Sequence, residues 1–129
     1  MVDVISELII KLKNANTAKK AMVSFPYSKM RESVLDALAK EGFVKAVTKK
    51  GKKVNKSIEA ELVYVDDQPR IQGVEQISKY SRRVYQGAKE IKRVQNGYGA
   101  LILTTPKGIL TDKEARKENV GGEALFKIW

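Results

Sequence analysis

Histidine and cysteine are both absent from this 129-residue chain, so imidazole bases, thiolate nucleophiles, disulfides and Cys/His zinc sites are excluded. Chemistry falls to carboxylates, hydroxyls, lysine and tyrosine. The carboxylates are not spaced for joint work. Glu59 and Glu61 alternate with Ile58, Ala60 and Leu62, a period of two that places both acids on the wet face of a strand. Asp66-Asp67 runs into Gln68-Pro69, which is turn chemistry. There is no Walker-type loop or dinucleotide fingerprint. The expectation is a protein that is not an enzyme, with no cofactor, no metal and no small-molecule substrate.

The polar groups that could bind rather than react gather near the C-terminus. Thr104 and Thr105 offer hydroxyls that donate or accept, Lys107 brings a point charge, and Gly108 permits close backbone approach or a positive φ. Two readings stand: a contact for the sugars and phosphates of a partner, or a Pro-Lys-Gly turn that closes a strand. Directly after it, Thr111 and Glu114 form a capping box, which predicts a short helix through Lys117.

Lys and Arg number 25 against 15 acids, a formal charge of +10, which points to a polyanionic partner. Nucleic acid is the first candidate and a membrane surface the second. No apolar run approaches the roughly 18 residues of a spanning helix, and no basic-then-apolar leader opens the sequence, so a cytoplasmic protein is expected. Lys79, Arg82, Arg83, Lys89, Lys92 and Arg93 fall in a stretch whose only acid is Glu90, with Tyr80 and Tyr85 interleaved. Tyrosines there can stack on bases or bond ribose hydroxyls. The plainer alternative is a half-buried tyrosine beside a solvated basic edge.

Helical spacing of Val4, Ile5, Leu8, Ile9 and Leu12 predicts a first helix capped by Asp3, with Lys11, Lys13, Lys19 and Lys20 gathered toward its end. A second helix is expected from Ser28 to Gly42 around Met30, Val34, Leu35 and Leu38. Strands are expected over 43–47 and 57–65, joined by a cationic tip at 49–56 in which five of eight residues are Lys. That tip is either a phosphate contact or merely soluble. Further strands are expected over 70–77, 100–103 and 124–129, with a turn at Gly97 and Gly99, and Trp129 as a core anchor. The fold class is α+β in two small lobes: 1–69, with two helices and a small sheet, and 70–129, mainly β with a short helix.

Read together, Thr104-Thr105-Pro106-Lys107-Gly108, Thr111-Asp112-Lys113-Glu114-Ala115-Arg116, Val120-Gly121-Gly122-Glu123 and the final Trp129 resemble the C-terminal signature of the bacterial small-subunit ribosomal protein eight family. The likeness extends to Ile77-Ser78-Lys79, Arg83-Val84-Tyr85, Asn96-Gly97-Tyr98-Gly99, Lys13-Asn14-Ala15 and Ser28-Lys29. Where the family loop reads Ser-Thr-Ser-Lys-Gly, Thr104 keeps the first hydroxyl and Pro106 removes the last. The resemblance implies a structural constituent of the small ribosomal subunit that binds the central domain of its RNA and helps assemble the platform. Its implied RNA contacts are Thr104, Thr105, Lys107, Gly108, Glu123, Tyr85, Arg83, Lys13, Asn14 and Lys29. Glu123 would accept from a base amino group or ribose hydroxyl, or orient a neighbouring Lys or Arg. Ribosomal proteins five and twelve are the implied neighbours, and some members bind a messenger RNA that imitates the ribosomal site. The alternatives are a basic protein-interaction module that binds an acidic partner and, more remotely, a carboxylate-dependent nuclease.

Overall fold

A computed structural model describes residues 2–51, 56–79, 82–92, 94 and 97–129, without the side chains of Val2 and Asp3. Lys52, Lys53, Val54 and Asn55 of the expected cationic tip lie outside the described residues, as do Tyr80, Arg93 and Asn96. The chain divides into two units, 3–71 and 72–129.

The first unit contains α1 (Val2–Thr17), β1 (Met22–Pro26), α2 (Lys29–Lys40), β2 (Val44–Lys50) and β3 (Ser57–Leu62), followed by the hairpin strands β4 (Tyr64–Val65) and β5 (Gln68–Pro69). The alternation anticipated for β3 holds: Ile58, Ala60 and Leu62 are buried, while Glu59 and Glu61 pair with Lys50 (3.2 Å) and Lys45 (3.8 Å). β3 is the central strand of an antiparallel sheet ordered β1-β3-β2. Ile5, Leu8 and Leu12 of α1 and Leu35 and Leu38 of α2 are buried as well, each 1% exposed or less. Such side chains stabilise the fold by about 1.5–3 kcal/mol apiece. Ser28 caps α2 by accepting from the Arg31 N–H (3.0 Å), as its sequence position suggests. The Glu32 carboxylate in the first turn of α2 accepts from Lys49 (2.9 Å) and so raises the pKa of that ammonium above its ordinary value.

Several expectations need correction. α1 begins at Val2, so Asp3 lies within its first turn rather than ahead of it, and the last turn carries no base. The expected strand over 57–65 ends at Leu62, because Tyr64–Val65 turns back on Gln68–Pro69. Asp66 (φ 50°) and Asp67 (φ 65°) make that turn in the left-handed backbone that two-residue hairpins of primed type demand. β1 was not anticipated from the sequence. Over 70–77 only Val74–Gln76 is strand.

The second unit contains β6 (Val74–Gln76), β7 (Tyr85–Gln86), a 3₁₀ turn (Ala88–Glu90), β8 (Ala100–Thr105), β9 (Gly108–Thr111), α3 (Asp112–Glu118) and β10 (Gly122–Ile128). The sheet runs β6-β10-β8-β9, and β7 also pairs with β10. The capping box is formed: the Glu114 N–H donates to Thr111 Oγ1 and the Thr111 N–H to Glu114 Oε1, both at 3.3 Å. Ile91, Val94, Leu101, Leu103, Ala115 and Ala124 form a core against which Trp129 packs. Gly73 lets the indole in, since a Cβ there would sit 2.5 Å from the ring. The Trp129 and Gly73 backbones exchange hydrogen bonds at 3.0 Å, which makes Trp129 the anchor expected of it.

Candidate functional site

The start of β10 is squeezed between two strands. A Cβ on Gly122 would collide with the Thr104 carbonyl oxygen, and one on Gly121 with the carbonyl oxygen of Gln86. Only the paired glycines let β7 and β8 close on the chain here, and the next residue is Glu123. Its register partners are Tyr85 on β7 and Thr104 on β8, so Tyr85, Glu123 and Thr104 form one row across three strands with their side chains on the same face.

The members of that row differ sharply in environment. Glu123 is 5% exposed, and its Oε2 finds no hydrogen-bond donor among the described residues. A buried acceptor left without a partner costs roughly 1–3 kcal/mol. Tyr85 is 67% exposed, which removes the half-buried alternative for it. Thr104 is half-buried, and its hydroxyl takes part in no hydrogen bond among the described residues.

Beyond Thr104 the hairpin β8–β9 turns through Pro106 and Lys107, with Thr105 paired to Gly108. Here the groups satisfy one another. Thr105 Oγ1 donates to the Gly108 carbonyl (2.8 Å) and accepts from the Lys107 N–H (3.2 Å). Lys107 Nζ reaches Glu118 at the end of α3 (3.0 Å). Gly108 sits at φ 112° with nothing within 4 Å of an added Cβ, so it is needed for its backbone angle rather than for space. In the free protein the turn reading therefore describes Thr105, while Thr104 belongs to the row.

A buried serine brings the other side of the row into place. Ser78 is 2% exposed; its Oγ donates to the Ala124 carbonyl (2.6 Å) and accepts from the Val84 N–H (3.0 Å), while the Ala124 N–H donates to the Val84 carbonyl (2.8 Å). These bonds fasten the chain ahead of Tyr85 to β10 and leave Arg83 exposed beside it. In the sequence Ser78 stands out only within the Ile77-Ser78-Lys79 motif. Its polarity next to Ile77 carries no local signal of a long-range tie.

The remaining candidates belong to the first unit. Lys13 and Asn14 are exposed near the C-terminal end of α1, and Lys29 is exposed at the first position of α2. No hydrogen bond or ion pair joins Lys29 to either of them among the described residues. The described residues contain no cluster of three acids arranged to hold a metal and no helix long and apolar enough to cross a membrane. The second-unit arrangement suits recognition: an exposed ring, an acceptor that needs a donor, a free hydroxyl and a basic rim.

The sequence profile of the family described as ribosomal protein S8 matches residues 3–129. The chain is 40% identical over 129 residues to the small ribosomal subunit protein uS8 of Rhizorhabdus wittichii, covering 100% of this chain and 98% of that one. It is 46% identical over 128 residues to the uS8 protein of Rhodopseudomonas palustris strain BisA53, with 98% and 97% covered. The uS8 protein of Mycoplasmopsis agalactiae is 42% identical over 127 residues, again with 98% and 97% covered. By profile, by identity and by coverage from end to end, the chain belongs to the ribosomal protein S8 family.

Proposed function

We propose that this protein is a non-catalytic structural constituent of the small ribosomal subunit in the cytoplasm, where it binds the central domain of the small-subunit RNA and helps assemble the platform. Lys and Arg supply long-range attraction and phosphate neutralisation, and the row of Tyr85, Glu123 and Thr104 reads the RNA at close range. Arg83, Lys107 and the Gly108 backbone flank that row, Thr105 shapes the turn beside it, and Lys13, Asn14 and Lys29 add contacts from the first unit. Ribosomal proteins five and twelve are the proposed neighbours.

The observation that carries this reading is the unpartnered Oε2 of buried Glu123 beside an exposed tyrosine. A carboxylate repels phosphate, so its ligand must bring a donor: a base amino or imino group, or a ribose hydroxyl. An acidic protein partner answers this less well, because ionised carboxylates only accept. The carboxylates behind the nuclease alternative, Glu59 and Glu61, are already paired with lysines.

The test is binding to a central-domain RNA hairpin against a mismatched hairpin of equal length, across a salt series. Selectivity that persists as salt rises is expected, because the nonspecific charge contribution decays with salt. Equal binding to both hairpins, lost together, would leave only a basic protein.

A further inference from the structure

We infer that Glu118, at the end of α3, is a specificity-determining residue: it holds Lys107 in an ion pair, keeps the surface beside the row electrically neutral, and so disfavours RNA that can offer only its phosphates. The inference rests on the RNA reading above, but it assigns a role to a carboxylate that repels RNA rather than binding it.

The two partners belong to elements that the second unit fixes separately. Lys107 stands in the two-residue turn, where its N–H donates to Thr105 Oγ1 (3.2 Å), while its ammonium reaches the Glu118 carboxylate at 3.0 Å. Glu118 is the last residue of α3, 11 positions along the chain. A carboxylate is out of place there. The carbonyls at a helix C-terminus present partial negative charge, which favours a cation and disfavours an acid. Arg116 and Lys117 in the same turn follow that preference, and Glu118 does not. Burial does not account for it either, since its side chain is 49% exposed. What Glu118 does satisfy is the ammonium of Lys107.

The pair makes this part of the surface neutral within a chain of formal charge +10. The groove between the hairpin tip and α3, about 360 Å³, is lined by Lys107, Leu110, Glu114, Lys117 and Glu118, two cations against two acids. Thr104 of the row lies on the same β8–β9 hairpin as Lys107. Through Glu123 the row asks a ligand for a hydrogen-bond donor, and matched RNA seats on it with the ion pair intact. RNA without the matching groups is held only through its phosphates, and a free ammonium at Lys107 would strengthen that hold. Specificity is a difference of affinities, so weakening the unmatched complex raises it as surely as strengthening the matched one. An exposed pair of this kind shifts an equilibrium by only about twofold to fivefold, which sets the size of the effect.

The experiment measures binding of the full chain and of Glu118→Gln to the matched hairpin, the mismatched hairpin and a single-stranded uridine oligomer, each across a salt series. Glu118→Gln should tighten the mismatched hairpin and the oligomer about threefold at low salt. On the oligomer it should also steepen the slope of log K against log salt by about 0.7, the mark of one further phosphate neutralised. Matched binding should stay nearly constant, so selectivity falls by about the same threefold. The double variant Lys107→Gln/Glu118→Gln should return the slope to that of the parent, because neither charge is left. Glu118→Lys should steepen the slope further and carries the test should Glu118→Gln lose thermal stability. An unchanged slope and oligomer affinity in Glu118→Gln, with the parent still selective, would overturn this inference and leave the RNA reading intact. Equal tightening of both hairpins would overturn it as well, since the pair would then tune affinity and not choice. A parent chain that binds both hairpins alike would remove the RNA reading and this inference together.

Discussion

In the hairpin turn at 105–108 the threonine hydroxyl and the lysine ammonium are both engaged within the protein, whereas in the adjoining row a buried carboxylate oxygen and the Thr104 hydroxyl have no partner among the described residues. The two regions share β8, so membership of one strand does not explain the difference. The turn must hold its shape without help, and a two-residue connection closed by Thr105 does so. The row carries an unmet hydrogen-bonding requirement that folding tolerates at roughly 1–3 kcal/mol and that a donor from outside would relieve. The buried polar atom that folding leaves unsatisfied is thus the reason to propose the row, rather than the more charged turn, as the contact surface. Lys107, the obvious cation of the block, spends the free state on Glu118.

The harshest way to break this contrast is Gly122→Ala. The added carbon meets the Thr104 backbone, which cannot move without parting β8 from β10. A stability loss of about 3 kcal/mol is expected by chemical denaturation. An unchanged midpoint would mean that the strands are not held as closely as the row requires.

Glu123→Gln sharpens the comparison instead. The shape is retained, the buried charge goes, and stability should stay within about 1 kcal/mol of the parent. Affinity for the matched hairpin should fall roughly tenfold to a hundredfold, the worth of a hydrogen bond to a charged acceptor. The mismatched hairpin should bind as before, because phosphate contacts do not involve the carboxylate. Parallel losses on both RNAs would assign Glu123 a purely structural part.

The paired variants Thr105→Val and Thr104→Val set the two regions against each other directly. Removing the Thr105 hydroxyl deletes both bonds inside the turn and should cost about 1 kcal/mol of stability, with RNA binding weakened as a consequence. Removing the Thr104 hydroxyl should leave stability unchanged within about 0.5 kcal/mol and weaken matched binding by about fivefold. If the two variants behaved alike in melting and in binding, the distinction between turn and row would fail.

What the sequence disclosed depended on the range over which each signal acts. The Thr111–Glu114 capping box, the Ser28 cap and the alternation of 57–62 are local, and their chemistry acts within a few residues, so they were legible. Trp129 was legible as an anchor because a tryptophan side chain is large, apolar and highly buried on average. The Tyr85–Glu123–Thr104 row was named residue by residue from a resemblance, but its being a row depends on pairings across 19 and 38 positions, which no local pattern encodes. Gly121 and Gly122 stand in the sequence only as part of a motif, and in the fold they are a close-approach device. β1 escaped notice because it is short, ends at a proline and has outward groups covered by Lys11 and Arg31 from the two helices. The Lys107–Glu118 pair was invisible for the same reason: it joins a turn to the far end of a helix.

The smallest effect, and the finest division between turn and row, is expected from Pro106→Ser. Pro106 stands at the first corner of the turn, where a fixed φ near −65° is wanted, and its missing N–H removes no bond on which the turn depends. Serine there loosens the unfolded chain and should cost roughly 0.4–1 kcal/mol. It also restores the hydroxyl that the family pattern carries. If recognition is centred on the row, that hydroxyl lies on the wrong side of Thr105 to matter, and affinity for the matched hairpin should change less than about twofold. A gain of about tenfold, the worth of a new hydrogen bond to phosphate, would show that the turn reads RNA through its side chains and not only through its shape. The binding surface would then extend past Thr105 to the tip of the hairpin, and Glu118 would become a competitor for the same lysine that the RNA requires.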